Sequence, residues 1–172
     1  MDSHHANVVK IRAVNRFVFF LLDDGSLYVL GVNDGGVFGT RKNERIVDDN
    51  NQHKLTKVID EEFKGDKVVD FDVSANSLIF RTESGRIFFS GMDVKYKPGK
   101  FPADVPLSKI FATYNSVGGI TEDGKVIFLN DQFIEDSDAN QKGWFVSDDR
   151  NLNKGVLEIG GPHQLRYALV SR

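Results

Sequence analysis

The sequence predicts an all-β protein, a partial or small β-propeller of about 3–4 blades, each an antiparallel sheet of four strands. Three stretches of the chain, 17–31, 77–91 and 116–130, align with one another without a gap. Apolar residues occupy both alternating faces of the first stretch, as in a strand that is covered on both sides. Such an internal repeat is typical of solenoids, propellers and arrays, and two-sided burial favours the propeller.

The first of these stretches, FVFFLLDDGSLYVLG at 17–31, predicts a β-hairpin. Asp24-Gly25 between two apolar runs is a strong hairpin signal, because a tight primed turn requires positive φ. The aligned stretches place Gly85 and Gly124 at the same point. We therefore predict that Gly25, Gly85 and Gly124 are structural turn residues.

Each hairpin is preceded by another strand-like stretch, and one more such stretch follows near the end of the sequence. These stretches are 8–14, 67–73, 107–113 and 155–161. The last is followed by LRYALVSR, which matches the first strand of a hairpin. The sequence thus predicts three full units and an incomplete fourth, in a single domain over 1–172. The approximate repeats are 8–54, 55–106, 107–154 and 155–172.

The glycines that follow the first hairpin resemble a known family, the regulator of chromosome condensation repeats. Four residues fall on the G-x-N-x-x-G-x-x-G pattern of that family: Gly31, Asn33, Gly36 and Gly39. Leu30 stands where the family usually has Trp, and the later repeats lose most of these glycines but keep Gly91. The resemblance implies a seven-bladed β-propeller. It also implies that Gly31, Gly36, Gly39 and Gly91 are structural residues.

The same glycines do not fit a phosphate-binding loop. A P-loop needs Lys and then Ser or Thr after its second glycine, but Val37 follows Gly36. A dinucleotide fingerprint needs glycine where Asp34 stands and a helix afterwards, and 40–51 shows no apolar helical period. We therefore predict no cofactor and interpret the glycines as punctuation between blades.

Metal-binding and catalytic patterns are incomplete. Residues 136–147 begin like a calcium loop, but Gln141 and Ser147 occupy positions that require Gly and Glu. The four His residues include no pair with zinc-site spacing, and no combination of Ser, His and acid stands out. The absence of Cys excludes disulfides and thiolate nucleophiles, and it suits a reducing, intracellular compartment. We expect a non-enzymatic protein without catalytic or metal sites.

Charge and hydropathy limit the partners further. The net charge is −3, and Lys and Arg are scattered rather than gathered in a stripe, which argues against a nucleic-acid partner. No apolar run reaches about 18 residues, so no membrane span is predicted. The stretch MDSHHANVVK lacks the apolar segment of a secretory signal.

These observations predict a protein-interaction or scaffold subunit of a larger complex, with contacts supplied by the loops 40–54, 92–106 and 131–154. Trp144 and Phe145 are its candidate interface residues or, alternatively, anchors of a polar loop. Missing blades could be supplied by a second copy, by other subunits, or by the rest of a longer chain. The resemblance implies two alternatives, guanine-nucleotide exchange on a Ran-like GTPase and chromatin association.

Overall fold

Strands make up all the regular structure in the part of the chain that the computed structural model describes. That part comprises residues 6–14, 17–31, 55–58, 65–91, 106–114, 116–130, 144–146, 156–160 and 167–170. The strands form four antiparallel sheets, which we call blades 1 to 4. Blade 1 consists of β1 (Val8–Val14), β2 (Phe17–Leu22), β3 (Leu27–Gly31) and β4 (Thr56–Lys57). Blade 2 consists of β5 (Val68–Val73), β6 (Ser77–Thr82) and β7 (Ile87–Gly91).

The remaining strands belong to the last two blades. Blade 3 consists of β8 (Leu107–Thr113), β9 (Ser116–Thr121), β10 (Val126–Asn130) and β11 (Trp144–Val146). Blade 4 consists of β12 (Val156–Gly160) and β13 (Tyr167–Val170). Within each blade, every strand pairs with its neighbours in sequence order. The predicted all-β class and the partial propeller of antiparallel blades are both confirmed.

The sequence repeat is also a structural repeat. The hairpins of the first three blades have the same register, with Phe17 opposite Gly31, Ser77 opposite Gly91, and Ser116 opposite Asn130. The first strand of every blade carries an irregularity at one common point. It lies between Val8 and Lys10, Val68 and Asp70, Leu107 and Lys109, and Val156 and Glu158. One residue therefore bulges out of each first strand.

The hairpin turns correct one detail of the sequence analysis. In the first hairpin, Gly25 N donates to Leu22 O at 3.0 Å and Leu22 N donates to Ser26 O at 2.9 Å. These bonds enclose three residues, so the loop is not the two-residue primed turn that Asp-Gly predicts. A three-residue loop closes with one residue in the left-handed region, and φ is 82° at Gly25. Asp24 Oδ1 accepts a hydrogen bond from Ser26 N, 2.8 Å away, which stabilises this longer loop.

The hydrophobic core lies between the blades. Phe19 of β2 and Phe71 of β5 are both fully buried, and their ring centroids are 6.0 Å apart across the junction of blades 1 and 2. A second cluster joins blades 2 and 3 through Ile79, Phe89, Leu107, Ile110, Val117 and Ile127. A third joins blades 3 and 4 through Phe111, Ile120, Val126 and Val156. Each fully buried side chain of this type contributes about 1.5–3 kcal/mol relative to an exposed one.

Candidate protein-contact surface

The bulge in each first strand exposes one residue at a fixed repeat position. Val9, Val69 and Leu157 occupy this position in blades 1, 2 and 4, and all three are exposed. A bulge leaves its extra residue outside the regular pairing and turns the strand locally. The exposure of these three apolar side chains therefore has a cause within each strand.

A second group of exposed apolar residues lies on one face of blade 1. Ile11 is 52% exposed, whereas Phe71 at the same repeat position of blade 2 is 0% exposed. Val8 is 50% exposed, whereas its equivalent Val68 is 4% exposed. The local backbone is the same in both blades, so the difference comes from what packs against each blade.

The same contrast continues across the sheet. Pairing places Phe20 and then Tyr28 on the same face as Ile11, and both are only half-buried. Their equivalents in blade 2, Phe80 and Phe88, are buried with stacked rings. We call this surface of blade 1 the open face. It consists of Val8, Ile11, Val18, Phe20, Tyr28 and Leu30.

The buried face of blade 2 shows what the open face is shaped to contact. Phe71, Phe80 and Phe88 belong to one core cluster with Phe19 and Leu21 of blade 1. Each blade thus uses one face to contact the blade before it and the other face to contact the blade after it. The open face is the surface on which a preceding blade would pack.

Charged residues link the first strands of neighbouring blades. Lys10 Nζ lies 2.6 Å from Asp70 Oδ1 and 2.6 Å from the Phe71 carbonyl oxygen. Two residues further along, Arg12 Nε lies 3.4 Å from Asp72 Oδ1. Asp72 Oδ2 also accepts a hydrogen bond from Ala112 N, 2.9 Å away in blade 3. Asp72 therefore joins the first strands of three successive blades.

Asp72 of β5 and Asp66, two residues before β5, have pKa values that shift in opposite directions. Burial raises the pKa of Asp72, although the hydrogen bond from Ala112 and the charge of Arg12 act against this shift. Burial also acts to raise the pKa of Asp66, but hydrogen bonds from Ser84, Thr82 and Arg86 outweigh it. The pKa of Asp66 is therefore well below its ordinary value.

We expect Asp66→Asn and Asp72→Asn to change stability with opposite dependence on pH. Asp66 has a lowered folded-state pKa, so it stabilises the fold above about pH 4 and loses this effect as the pH falls. Asp66→Asn should therefore cost about 1–2 kcal/mol at pH 7 and less at pH 3. Asp72 has a raised folded-state pKa, so its ionisation weakens the wild-type fold as the pH rises. Asp72→Asn should gain stability relative to wild type between pH 3 and pH 7.

Urea unfolding of the wild type and both variants at several pH values measures these differences. Asp72→Asn is the matched control, because it makes the same chemical change six residues along the chain and keeps an oxygen acceptor for Ala112 N. If the free energies of unfolding of the two variants changed with pH in the same way, the opposite pKa shifts assigned to Asp66 and Asp72 would be wrong.

A cleft of about 80 Å³ lies between the first turn and residues 65–68, whereas small-molecule sites usually occupy about 300–1,000 Å³. Across the described ranges, no three His, Asp or Glu side chains are grouped to hold a metal ion. The described part of the chain also contains no helix long and apolar enough to cross a membrane.

The predicted site residues fall into three groups. Gly25, Gly85 and Gly124 close the three hairpins with φ values of 82°, 82° and 79°, and Gly31 and Gly91 end β3 and β7. Gly36 and Gly39 lie outside the described residues, as do nearly all residues of the three predicted contact loops.

Trp144 and Phe145 form the third group, and their predicted location is corrected. They do not lie in a polar loop but begin β11, where Trp144 is opposite Leu129 and Phe145 is opposite Phe128. This short strand pairs with the edge of β10. The polar residues on both sides of it hide the strand pattern in the sequence. Their role in an interface remains a prediction. The open face was not predicted, because exposure depends on the neighbouring blade rather than on residue type.

Comparisons with known proteins identify the fold through solved structures. No family model and no curated protein matches the chain. The structure of Kap60 bound to yeast RCC1 (Prp20) matches 98% of this chain and 41% of its own, with 16% identity and a TM-score of 0.60. Human WBSCR16 matches 76% of this chain and 34% of its own, with 15% identity and a TM-score of 0.56.

A third similar structure is Prp20p from Saccharomyces cerevisiae, described with its binding to Gsp1p and histones. It matches 72% of this chain and 33% of its own, with 14% identity and a TM-score of 0.52. The chain thus spans 33–41% of the length of these proteins. At these identities the likeness establishes the fold alone, and that fold is the β-propeller repeat of the regulator of chromosome condensation type.

Proposed function

We propose that this protein is a non-enzymatic protein-interaction subunit, and that the open face is its contact surface. The observation that carries the proposal is the difference between Ile11 and Phe71, which occupy one repeat position but are 52% and 0% exposed. Blade 2 shows that an apolar face of this shape is buried by protein when its neighbour is present.

Energetics favour a covered open face. Val8, Ile11 and Phe20 expose apolar surface that each blade-to-blade contact removes from water. Burial contributes about 25 cal/mol per Å² of apolar surface. Contiguous apolar patches of this kind on soluble proteins usually mark contacts with other proteins.

The structural neighbours support a binding role for the fold. Yeast RCC1 (Prp20) is seen bound to Kap60, and Prp20p was described with its binding to Gsp1p and histones. Both are cases of a protein with this fold that binds other proteins. These neighbours support only a general binding role for the fold. The partner of this chain has to be inferred from the chemistry of its own open face.

The test is the native mass of the assembly that contains the tagged full chain, gently purified from its own cells. We expect the wild type in a stoichiometric assembly and Ile11→Asp largely released from it. Val69→Asp is the matched control, because Val69 is 47% exposed in a first strand but lies on the bulge of blade 2. A wild-type chain that runs alone, or equal release of both variants, would contradict the proposal.

A further inference from the structure

We propose that the partner of the open face is a second copy of this chain, whose blade 4 packs on blade 1 of the first copy. This inference rests on the proposed function and names the partner that the open face takes. Two arguments carry it, one from the apolar register of β13 and one from the charges of the first strands.

The pairing of β12 with β13 puts Tyr167 and Leu169 at the repeat positions that blade 1 uses to contact blade 2. Tyr167 is opposite Gly160, and Leu169 is opposite Glu158. In blade 1, Phe19 and Leu21 hold the equivalent positions of β2, opposite Arg12 and Lys10. Those two residues are the ones with which blade 1 covers the buried face of blade 2. Blade 4 therefore repeats, in sequence and register, the positions with which blade 1 covers blade 2.

The first strands add a charge pattern of alternating sign. The residue directly after the bulge is Lys10 in blade 1, Asp70 in blade 2, Lys109 in blade 3 and Glu158 in blade 4. The first step of this series is an ion pair of 2.6 Å between Lys10 and Asp70. When blade 4 of one copy precedes blade 1 of another, Glu158 precedes Lys10 and the alternation continues.

The two faces also suit a closed assembly. Each copy provides one open face and one blade 4, so two copies can exchange the same contact symmetrically. Such an arrangement is a two-fold ring, the commonest symmetry among soluble oligomers. A contact between two open faces would instead leave blade 4 of both copies out of the interface.

The purified full chain, studied by sedimentation over a range of concentrations, tests the inference. We expect a wild-type dimer and a dissociation constant raised at least about tenfold by Ile11→Asp. Glu158→Lys should also weaken the dimer, and more strongly at low salt, because it removes the opposite charge at the joint. Glu122→Lys is the control with the same charge change, since Glu122 is exposed in the third hairpin turn. Circular dichroism confirms that each variant is folded.

The outcomes separate this inference from the proposed function. A purified wild type that stays monomeric at every concentration would overturn the inference. If the cellular assembly then holds one copy with other proteins and depends on Ile11, the proposed function stands. A dimer that Ile11→Asp dissociates but Glu158→Lys leaves unchanged would show that blade 4 is not at the joint, which also overturns the inference.

Discussion

Gly118→Ala is expected to destabilise the protein by about 3 kcal/mol, because β9 has no room for a methyl group at this point. A Cβ on Gly118 would meet the carbonyl oxygen of Ile127 directly and would lie 2.7 Å from Phe111 Cζ. The first of these atoms belongs to the backbone of β10, so it cannot move without disturbing the sheet. Urea unfolding followed by fluorescence or circular dichroism measures the loss.

The repeat explains why blade 3 alone carries glycine here. The equivalent residues are Phe19 in blade 1 and Ile79 in blade 2, which fill the adjoining core. In blade 3 the Phe111 ring comes from the first strand, where blades 1 and 2 have Arg12 and Asp72. A loss of under about 1 kcal/mol on Gly118→Ala would contradict the close approach of Ile127 and Phe111 to this position.

Gly25→Ala is expected to cost about 2–4 kcal/mol, whereas Gly85→Ala should cost about 1 kcal/mol. Both glycines have a φ of 82°, so both substitutions introduce the same backbone strain. A Cβ on Gly25 would also lie 2.5 Å from Lys67 Cβ and 2.9 Å from Lys67 Cα, while the same atom on Gly85 meets nothing within 4 Å. The difference between the two variants measures the contact of the first turn with blade 2.

A backbone hydrogen bond also joins the first hairpin turn to the start of β5. Val68 N donates to Gly25 O at 3.1 Å, and Val156 N donates to Gly124 O at 3.2 Å at the equivalent point of blades 3 and 4. The turn of one blade thus anchors the first strand of the next. Equal losses for Gly25→Ala and Gly85→Ala in the same unfolding experiment would contradict this account.

The hairpins could be predicted from sequence because their signals are local. Asp24-Gly25 lies between two apolar runs, and the same pattern recurs at Gly85 and Gly124. The bulges could not be predicted in this way, because VVKIRAV has no clear alternation to show that Val9 leaves the pairing. Without the bulges, the register that aligns Lys10 with Asp70 cannot be assigned.

The contact surface was harder to predict for a different reason. Ile11 and Phe71 are similar apolar residues in similar strands, and only the neighbouring blade makes one exposed and the other buried. The sequence predicts that missing blades have to be supplied, but not which face lacks one. The strand at Trp144 was concealed for a related reason, since its pairing depends on the free edge of β10.

The location of the core between the blades also governs how the protein unfolds. Because each blade shares its apolar residues with its neighbours, its stability is the sum of its own pairing and its couplings to the neighbouring blades. Blade 2 has both couplings, through Phe71 on one side and Ile79 on the other. Amides of β6 should therefore exchange with solvent far more slowly than those of β1. Opening should propagate inward from blade 1, and an added neighbour on that blade would protect amides several strands away.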